Sequence, residues 1–201
     1  GQGAWHTRQI LASDVAALAG VYDIDPAKNA LAEQNGIHAY SSLQEVLDDS
    51  NVETVVIAVP NDDHKELVVK SLKAGKNVIC EKPVEMSVCA FDEMTDAANK
   101  SGKLFTVHQN RRWDVDYLAM KKIVESGEIG ELINIESRVH GSRGIPSDWR
   151  CTKAHGGGMI LDWGVHLIDQ ILQIIKEKIV RIYCTETHIT NSEVDDGFKL
   201  T

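Results

Sequence analysis

Asp162 and His166 stand four residues apart in the segment His155-Gly156-Gly157-Gly158-Met159-Ile160-Leu161-Asp162-Trp163-Gly164-Val165-His166. On a helix that spacing puts both side chains on one face, a face distinct from the apolar stripe of Leu161, Val165 and Ile168. A carboxylate beside an imidazole steadies its tautomer and raises its basicity, which a general base working near neutral pH requires. A solvated ion pair uses the same spacing and is the plain alternative. A metal site is a weaker reading, because Asp and His are only two ligands and no third stands at ligand spacing. Lys82 is the other residue with chemical promise. It directly precedes Pro83, which holds it extended, at the end of the apolar run Val78 to Cys80. A solvated lysine beside a turn is its alternative.

The glycines at the start of the chain, Gly1-Gln2-Gly3, suit a phosphate loop. A dinucleotide fold needs glycines where a strand turns into a helix, so that backbone amides approach a pyrophosphate, and an acidic residue about 20 positions on to hold the adenosine ribose. Gly3 and Asp23 have that separation. Gly1 and Gly3 can be the first two glycines of the fingerprint, which leaves His6 in the third place, or Gly3 can itself be the third. The second placement puts Asp23 in register and explains why no strand precedes Gly1, so the sequence is expected to begin inside the loop. An ordinary glycine turn is the alternative. Asp23 would accept bonds from both ribose hydroxyls and repel a 2'-phosphate, and no Lys or Arg follows until Lys28, which favours NAD over NADP. A helix cap at Asp23 or Asp25 explains the same residues equally well.

These side chains need elements to carry them. Short β-branched runs at Leu18 to Asp23, Thr54 to Val59, Val78 to Cys80 and Leu104 to His108 alternate with helical patterns, the rhythm of a parallel sheet with crossover helices. The run Val55 to Val59 is apolar on both faces and predicts a central buried strand. It stops at Pro60-Asn61-Asp62-Asp63-His64, where Asp62 or Asp63 can cap a helix that runs to Gly75. Ligands of open parallel sheets sit at the carboxyl ends of strands, so Pro60, Asn61, His64, Glu81 and Lys82 gain weight by position. After Arg112 the rhythm changes. A helix is expected at 114–126, a half-buried strand at Ile133 to Val139, a helix at 159–175 and further strands in the tail. The fold class is thus α/β: a Rossmann-type parallel sheet domain over 1–110, lacking its first strand, then an α+β domain over 111–201 with a mostly antiparallel open sheet whose remainder is also expected to be missing.

The chain has 201 residues and a formal net charge of -9, with 21 Lys plus Arg against 30 Asp plus Glu, which disfavours a polyphosphate partner such as nucleic acid. Its apolar runs fall far short of the ~20 residues of a membrane helix. The four cysteines, Cys80, Cys89, Cys151 and Cys184, show no metal or disulfide spacing and read as free thiols of a cytoplasmic protein. Nothing resembles a signal peptide.

Taken in order, these segments resemble the glucose-fructose oxidoreductase, inositol dehydrogenase and rhizopine-catabolism family, written Gfo/Idh/MocA. Gly3-Ala4-Trp5-His6 is similar to the end of its phosphate loop, and Val59-Pro60-Asn61 with His64 to its nicotinamide-side loop. Gly75-Lys76-Asn77-Val78-Ile79-Cys80-Glu81-Lys82-Pro83 is similar to its Glu-Lys-Pro strand end, and Asn110-Arg111-Arg112-Trp113-Asp114 to its domain crossover. Ser126-Gly127-Glu128-Ile129-Gly130 and the Gly156-Gly157-Gly158 segment with Asp162 and His166 complete the pattern. The resemblance implies NAD-linked oxidation of a secondary alcohol on a sugar, inositol or related polyol, with NADP as the alternative cofactor, in a homo-oligomer. It implies cofactor contacts from Gly1, Gln2, Gly3, Asp23, Pro60, Asn61, His64, Glu81, Lys82 and Asn110. Lys82 would hydrogen-bond the reacting oxygen, His166 would exchange its proton and Asp162 would orient that histidine. Arg111, Trp113, Trp149, Arg150 and His155 are candidates to line the substrate pocket. An NADP-dependent ketone or imine-type reductase and a non-catalytic NAD-binding regulator are the competing functions. The intact Lys82, Asp162 and His166 set argues against the regulator.

Overall fold

The apolar runs of the first half become three parallel strands, β1 (Thr54–Ile57), β2 (Asn77–Cys80) and β3 (Phe105–Val107), in the order β1-β2-β3. Val55 lies opposite Val78, and Val78 opposite Phe105. The computed structural model describes residues 1–141 and 144–201. They divide into one unit of Gly1–Val59 with Asp63–Val107 and another of Pro60–Asp62 with His108–Thr201.

The strands of the first unit are joined and covered by α1 (Gln2–Leu11), α2 (Pro26–Gln34), α3 (Leu43–Asp48), α4 (His64–Lys73) and α5 (Val88–Ser101). α4 shows why this sequence folds as it does: its buried residues His64, Val68, Ser71 and Leu72 recur at helical spacing. Val68 and Leu72 meet Ile57, Val78, Cys80 and Met94 in one core, with Val55, Val59, Val84 and Phe105 at its margin. Burial pushes the Cys80 thiol far above its ordinary range, so it stays protonated. All four cysteines are free.

Three local expectations need correction. β1 is an outer strand of its ladder, paired only with β2 among the described residues. An apolar run reports burial of a strand's two faces, and β1 is packed by α1 and α4, but it says nothing about whether both edges are paired. The run Leu18 to Asp23 forms only a parallel bridge, Val21 with Ala39. Finally, neither Asp62 nor Asp63 caps α4: a 3-10 turn over Asn61–Asp63 leads into the helix, and Asp63 stands at the cap position without a side-chain bond.

The second unit begins with a 3-10 turn, Asn110–Trp113, followed by α6 (Val115–Ser126), a π turn at Ile160–Gly164 running into α7 (Val165–Ile174), and the antiparallel pair β4 (Cys184–Thr187) and β5 (Gly197–Leu200). Arg112 holds α7 by a bidentate contact along one guanidinium edge, Nε to Asp169 Oδ2 at 2.8 Å and Nη2 to Asp169 Oδ1 at 2.6 Å. Gln170 donates to the Arg111 carbonyl at 2.8 Å, so the turn is tied to α7 at two points. The strand expected at Ile133 to Val139 does not form a ladder, and Ile133 is 93% exposed. Alternation marks one apolar face, but a strand also needs a partner to take its backbone bonds, and none pairs with it among the described residues. No described helix is long and apolar enough to cross a membrane.

Leu72 has no exposed surface and sits at the centre of the first core. Leu72→Ala should lower the unfolding free energy of the full-length protein by about 2–5 kcal/mol in urea titration; a loss well under 1 kcal/mol would contradict the core described above.

Candidate active site

At the carboxyl end of β2 the chain leaves the core and turns polar at once. Glu81 is only 4% exposed, and a buried carboxylate is costly unless it is paired. Its Oε1 meets His6 Nε2 at 2.7 Å, its Oε2 accepts the Lys82 backbone N–H at 3.2 Å, and its own N–H donates to the Ile57 carbonyl at 2.9 Å. The residue before Lys82 is thereby fixed to both α1 and β1. On the far side, the ring of the fully buried His64 lies between two carbonyl oxygens, Nδ1 at 3.0 Å from Pro83 and Nε2 at 3.1 Å from Val59. Lys82 itself is half-buried.

The expected cofactor residues of this unit fall on two elements. Gly1 is the N-cap of α1, whose first turn carries neither an acidic residue nor a side-chain cap. Amides in the first turn of a helix lack intrahelical acceptors and present a positive field. Gly1 and Gly3 are exposed and have nothing within 4 Å of where a Cβ would be, so a phosphate can come close to the backbone; the residues present fit a dinucleotide pyrophosphate. Asp23 lies in the turn before α2. Its Oδ1 accepts the Asp25 N–H at 2.9 Å and its Oδ2 meets Lys28 Nζ at 3.0 Å, while Asn29 grips its backbone N–H and carbonyl at 2.9 and 2.8 Å. The helix cap is Asp25, which accepts from the Ala27 N–H, and Asp23 is not the cap.

In the second unit Gly157 and Gly158 are packing requirements. A Cβ on Gly157 would stand 2.1 Å from the Arg150 carbonyl oxygen, and one on Gly158, at φ +102°, would stand 2.1 Å from Asp195 Oδ1. That close fit lets Asp195 secure the turn before α7, its carboxylate accepting from Ile160 N–H at 2.9 Å and its carbonyl from Met159 N–H at 3.0 Å. Asp162 lies in the π turn, a feature common at functional sites. Arg150 Nε reaches Asp162 Oδ1 at 3.4 Å, while Arg150 Nη1 pairs with Asp148 at 2.8 Å and the guanidinium stacks 4.4 Å above Trp149. His166, 5% exposed, is the second residue of α7 and has Trp163 edge-on at 6.1 Å, and Arg111 lies 4.2 Å over the same Trp163.

The structure thus brings Trp149, Arg150 and Asp162 together, and Arg111, Trp163 and His166 together. Other expected residues have partners of their own within this unit. Asn61 is buried and donates to the Gly156 carbonyl at 2.9 Å, and His155 pairs with Asp62 at 2.9 Å. Pro60 is half-buried, Asn110 opens the 3-10 turn, and Trp113 is 75% exposed. Sequence reasoning missed the parts of His6 and Asp195 and the pairing of Arg150 with Asp162. The one available signal was Glu81, an acidic residue at the end of a buried strand that had to find a partner.

Residues 1–109 match the model of an oxidoreductase family with an NAD-binding Rossmann fold, GFO_IDH_MocA, and residues 117–201 match the GFO/IDH/MocA C-terminal domain. The crystal structure of an NAD-binding protein from Listeria innocua superposes with a TM-score of 0.96 at 47% identity, covering 100% of this chain and 59% of that one. An inositol 2-dehydrogenase from Saccharopolyspora erythraea is 34% identical over 89% of this chain and 52% of its own. A scyllo-inositol 2-dehydrogenase (NADP(+)) from Bacillus subtilis is 29% identical over 79% of this chain and 45% of its own. The chain spans about half the length of the curated relatives it matches.

Burial holds the Asp195 carboxyl above the usual carboxylate range. A carboxyl raised on folding contributes stability that is present below its ordinary pKa of about 4 and lost as pH rises through the folded value. Asp195→Asn keeps an acceptor for Ile160 and removes the charge. Its stability relative to the unmodified full-length protein should therefore rise as pH increases from about 4 toward neutrality, measured by thermal unfolding across that range. Parallel curves would contradict the burial argument.

Proposed function

The chain belongs to the GFO/IDH/MocA oxidoreductase family, and from that premise we propose that the full-length protein is an NAD-dependent dehydrogenase that oxidises a secondary alcohol of an inositol, sugar or related polyol. The reading is carried by the end of β2, where Lys82 follows a carboxylate secured by His6 and precedes a proline whose carbonyl faces His64. A cation on so well fixed a backbone is suited to stabilise a developing alkoxide. The first turn of α1 would take the pyrophosphate and Asp23 the adenosine ribose. Bound NAD supplies the acceptor for the carbinol hydride. Lys82 donates a hydrogen bond to the carbinol oxygen, His166 removes its proton as general base, and Asp162, held by Arg150, orients the imidazole and stabilises its charged form. The chemistry requires Lys82 and His166 to act on the same alcohol. The inositol part of the substrate class follows the names of the two inositol-dehydrogenase relatives. A cytoplasmic homo-oligomer belongs to the same proposal and is open to fractionation and sedimentation.

One observation favours a second reading. Lys28 sits 3.0 Å from the Asp23 carboxylate and offsets part of the charge that would repel a 2'-phosphate, so NADP is the alternative cofactor. The pair is exposed and its effect is small, which leaves NAD preferred.

Titration of the full-length protein should give tighter binding of NADH than of NADPH, and Asp23→Ser should narrow the difference; equal or tighter NADPH binding by the unmodified protein would reverse the cofactor assignment. In assays with inositols, aldoses and their phosphates, Lys82→Ala and His166→Ala should each lower kcat by about a hundred- to ten-thousand-fold, with NADH affinity retained. Asp162→Asn should cost less and move the acidic limb of the pH profile downward, because the imidazolium loses its anionic partner. A fully active His166→Ala enzyme would remove the general base from the mechanism.

A further inference from the structure

His64 is expected to contact cofactor, yet its ring has no exposed surface and both of its nitrogens face backbone carbonyls. One carbonyl, Val59, lies just beyond β1. The other, Pro83, adjoins Lys82. His64 opens α4, whose Val68 and Leu72 are locked in the first core, so the imidazole is a fixed post between a strand end and the turn that carries the lysine. On the near side of that turn, Glu81 is tied to His6, to Ile57 and to the Lys82 N–H. Pro83 has no N–H of its own, so its carbonyl is the one backbone hydrogen-bonding group it offers, and His64 Nδ1 faces it.

We propose that His64 is a positioning residue for Lys82, fixing the Lys82–Pro83 turn against the end of β1 through the Pro83 carbonyl, and that it does not contact the cofactor. The proposal rests on the reading of Lys82 as donor to the reacting oxygen. The two ring nitrogens face different carbonyls, so the two contacts can be separated by substitution. An asparagine amide reaches the place of Nδ1 and can still donate to Pro83, whereas a glutamine amide reaches the place of Nε2 and serves Val59 instead.

The test compares His64→Asn, His64→Gln and Lys82→Ala in the full-length protein. In deuterium exchange, the amides of residues 81–86 should open faster in the Gln variant and stay close to the unmodified protein in the Asn variant. With NAD and the best of the assayed inositols or sugars, the Gln variant should lose kcat on the order of 10- to 100-fold, the scale of a misplaced catalytic group. Its KM for NAD should hold, and the Asn variant should retain most of kcat. In the unmodified protein, NMR should show the His64 ring N–H protected from solvent exchange. Equal losses in both variants, unaltered exchange at 81–86 in the Gln variant, or a rapidly exchanging ring proton would each overturn the proposal, and the last needs no variant to fold. Undiminished turnover by Lys82→Ala would instead overturn the role of Lys82, leaving exchange and the ring proton to judge the clamp by themselves.

Discussion

A carboxylate leaves water only when its oxygens are otherwise satisfied, and Glu81 is where that constraint shapes the first unit. The parallel ladder delivers β2 through an apolar core and ends it beside Ile57. The next residue is acidic and buried, so α1 must bring His6 to it across 75 positions of sequence. Once that pair forms, the helix whose first turn suits a pyrophosphate and the strand end that carries Lys82 are connected through one hydrogen bond. The proposed phosphate-binding turn and the proposed lysine site therefore share a mechanical reference, which transfer between a cofactor and an alcohol would demand of a scaffold.

The second unit meets the same demand by other means. Its helix carrying Asp162 and His166 is preceded by glycines where the backbone of Arg150 and the carboxylate of Asp195 leave no room for a side chain. Arg150 supports Asp162, and the Arg112–Asp169 pair holds α7 to the turn at Asn110–Trp113. The arginines near Asp162 and His166 have acidic or aromatic neighbours in this unit, so their charge is balanced locally. Lys82 gains its significance from the backbone around it.

Much of this was legible in local pattern. The three parallel strands, α4, α6 and the end of α7 follow from periodicity, because core-facing residues of one element recur at fixed short spacings. The expected strand at Ile133 to Val139 does not form because alternation reports a face and not a partner, and β1 lies at the edge of its ladder because apolar faces do not require both edges to be paired. Residue type alone makes Asp62 or Asp63 a cap, whereas the chain enters α4 through a 3-10 turn. Of the candidate site, Lys82, Asp162 and His166 were visible as residue types at suggestive spacings. Their supports, His6, Arg150 and Asp195, lie 12 to 75 positions from what they hold, and pairings of that kind leave no periodic trace.

Isotope transfer measures directly the proposed passage of a hydride from a carbinol carbon to the nicotinamide. The full-length protein would be incubated with NAD and with inositols or sugars deuterated at each carbinol position in turn, and the NADH analysed by mass spectrometry. One position of an accepted substrate should deliver its deuterium to NADH while that carbon becomes a carbonyl. Oxidised product accompanied by unlabelled NADH, or no transfer from any position of any polyol or sugar, would contradict it.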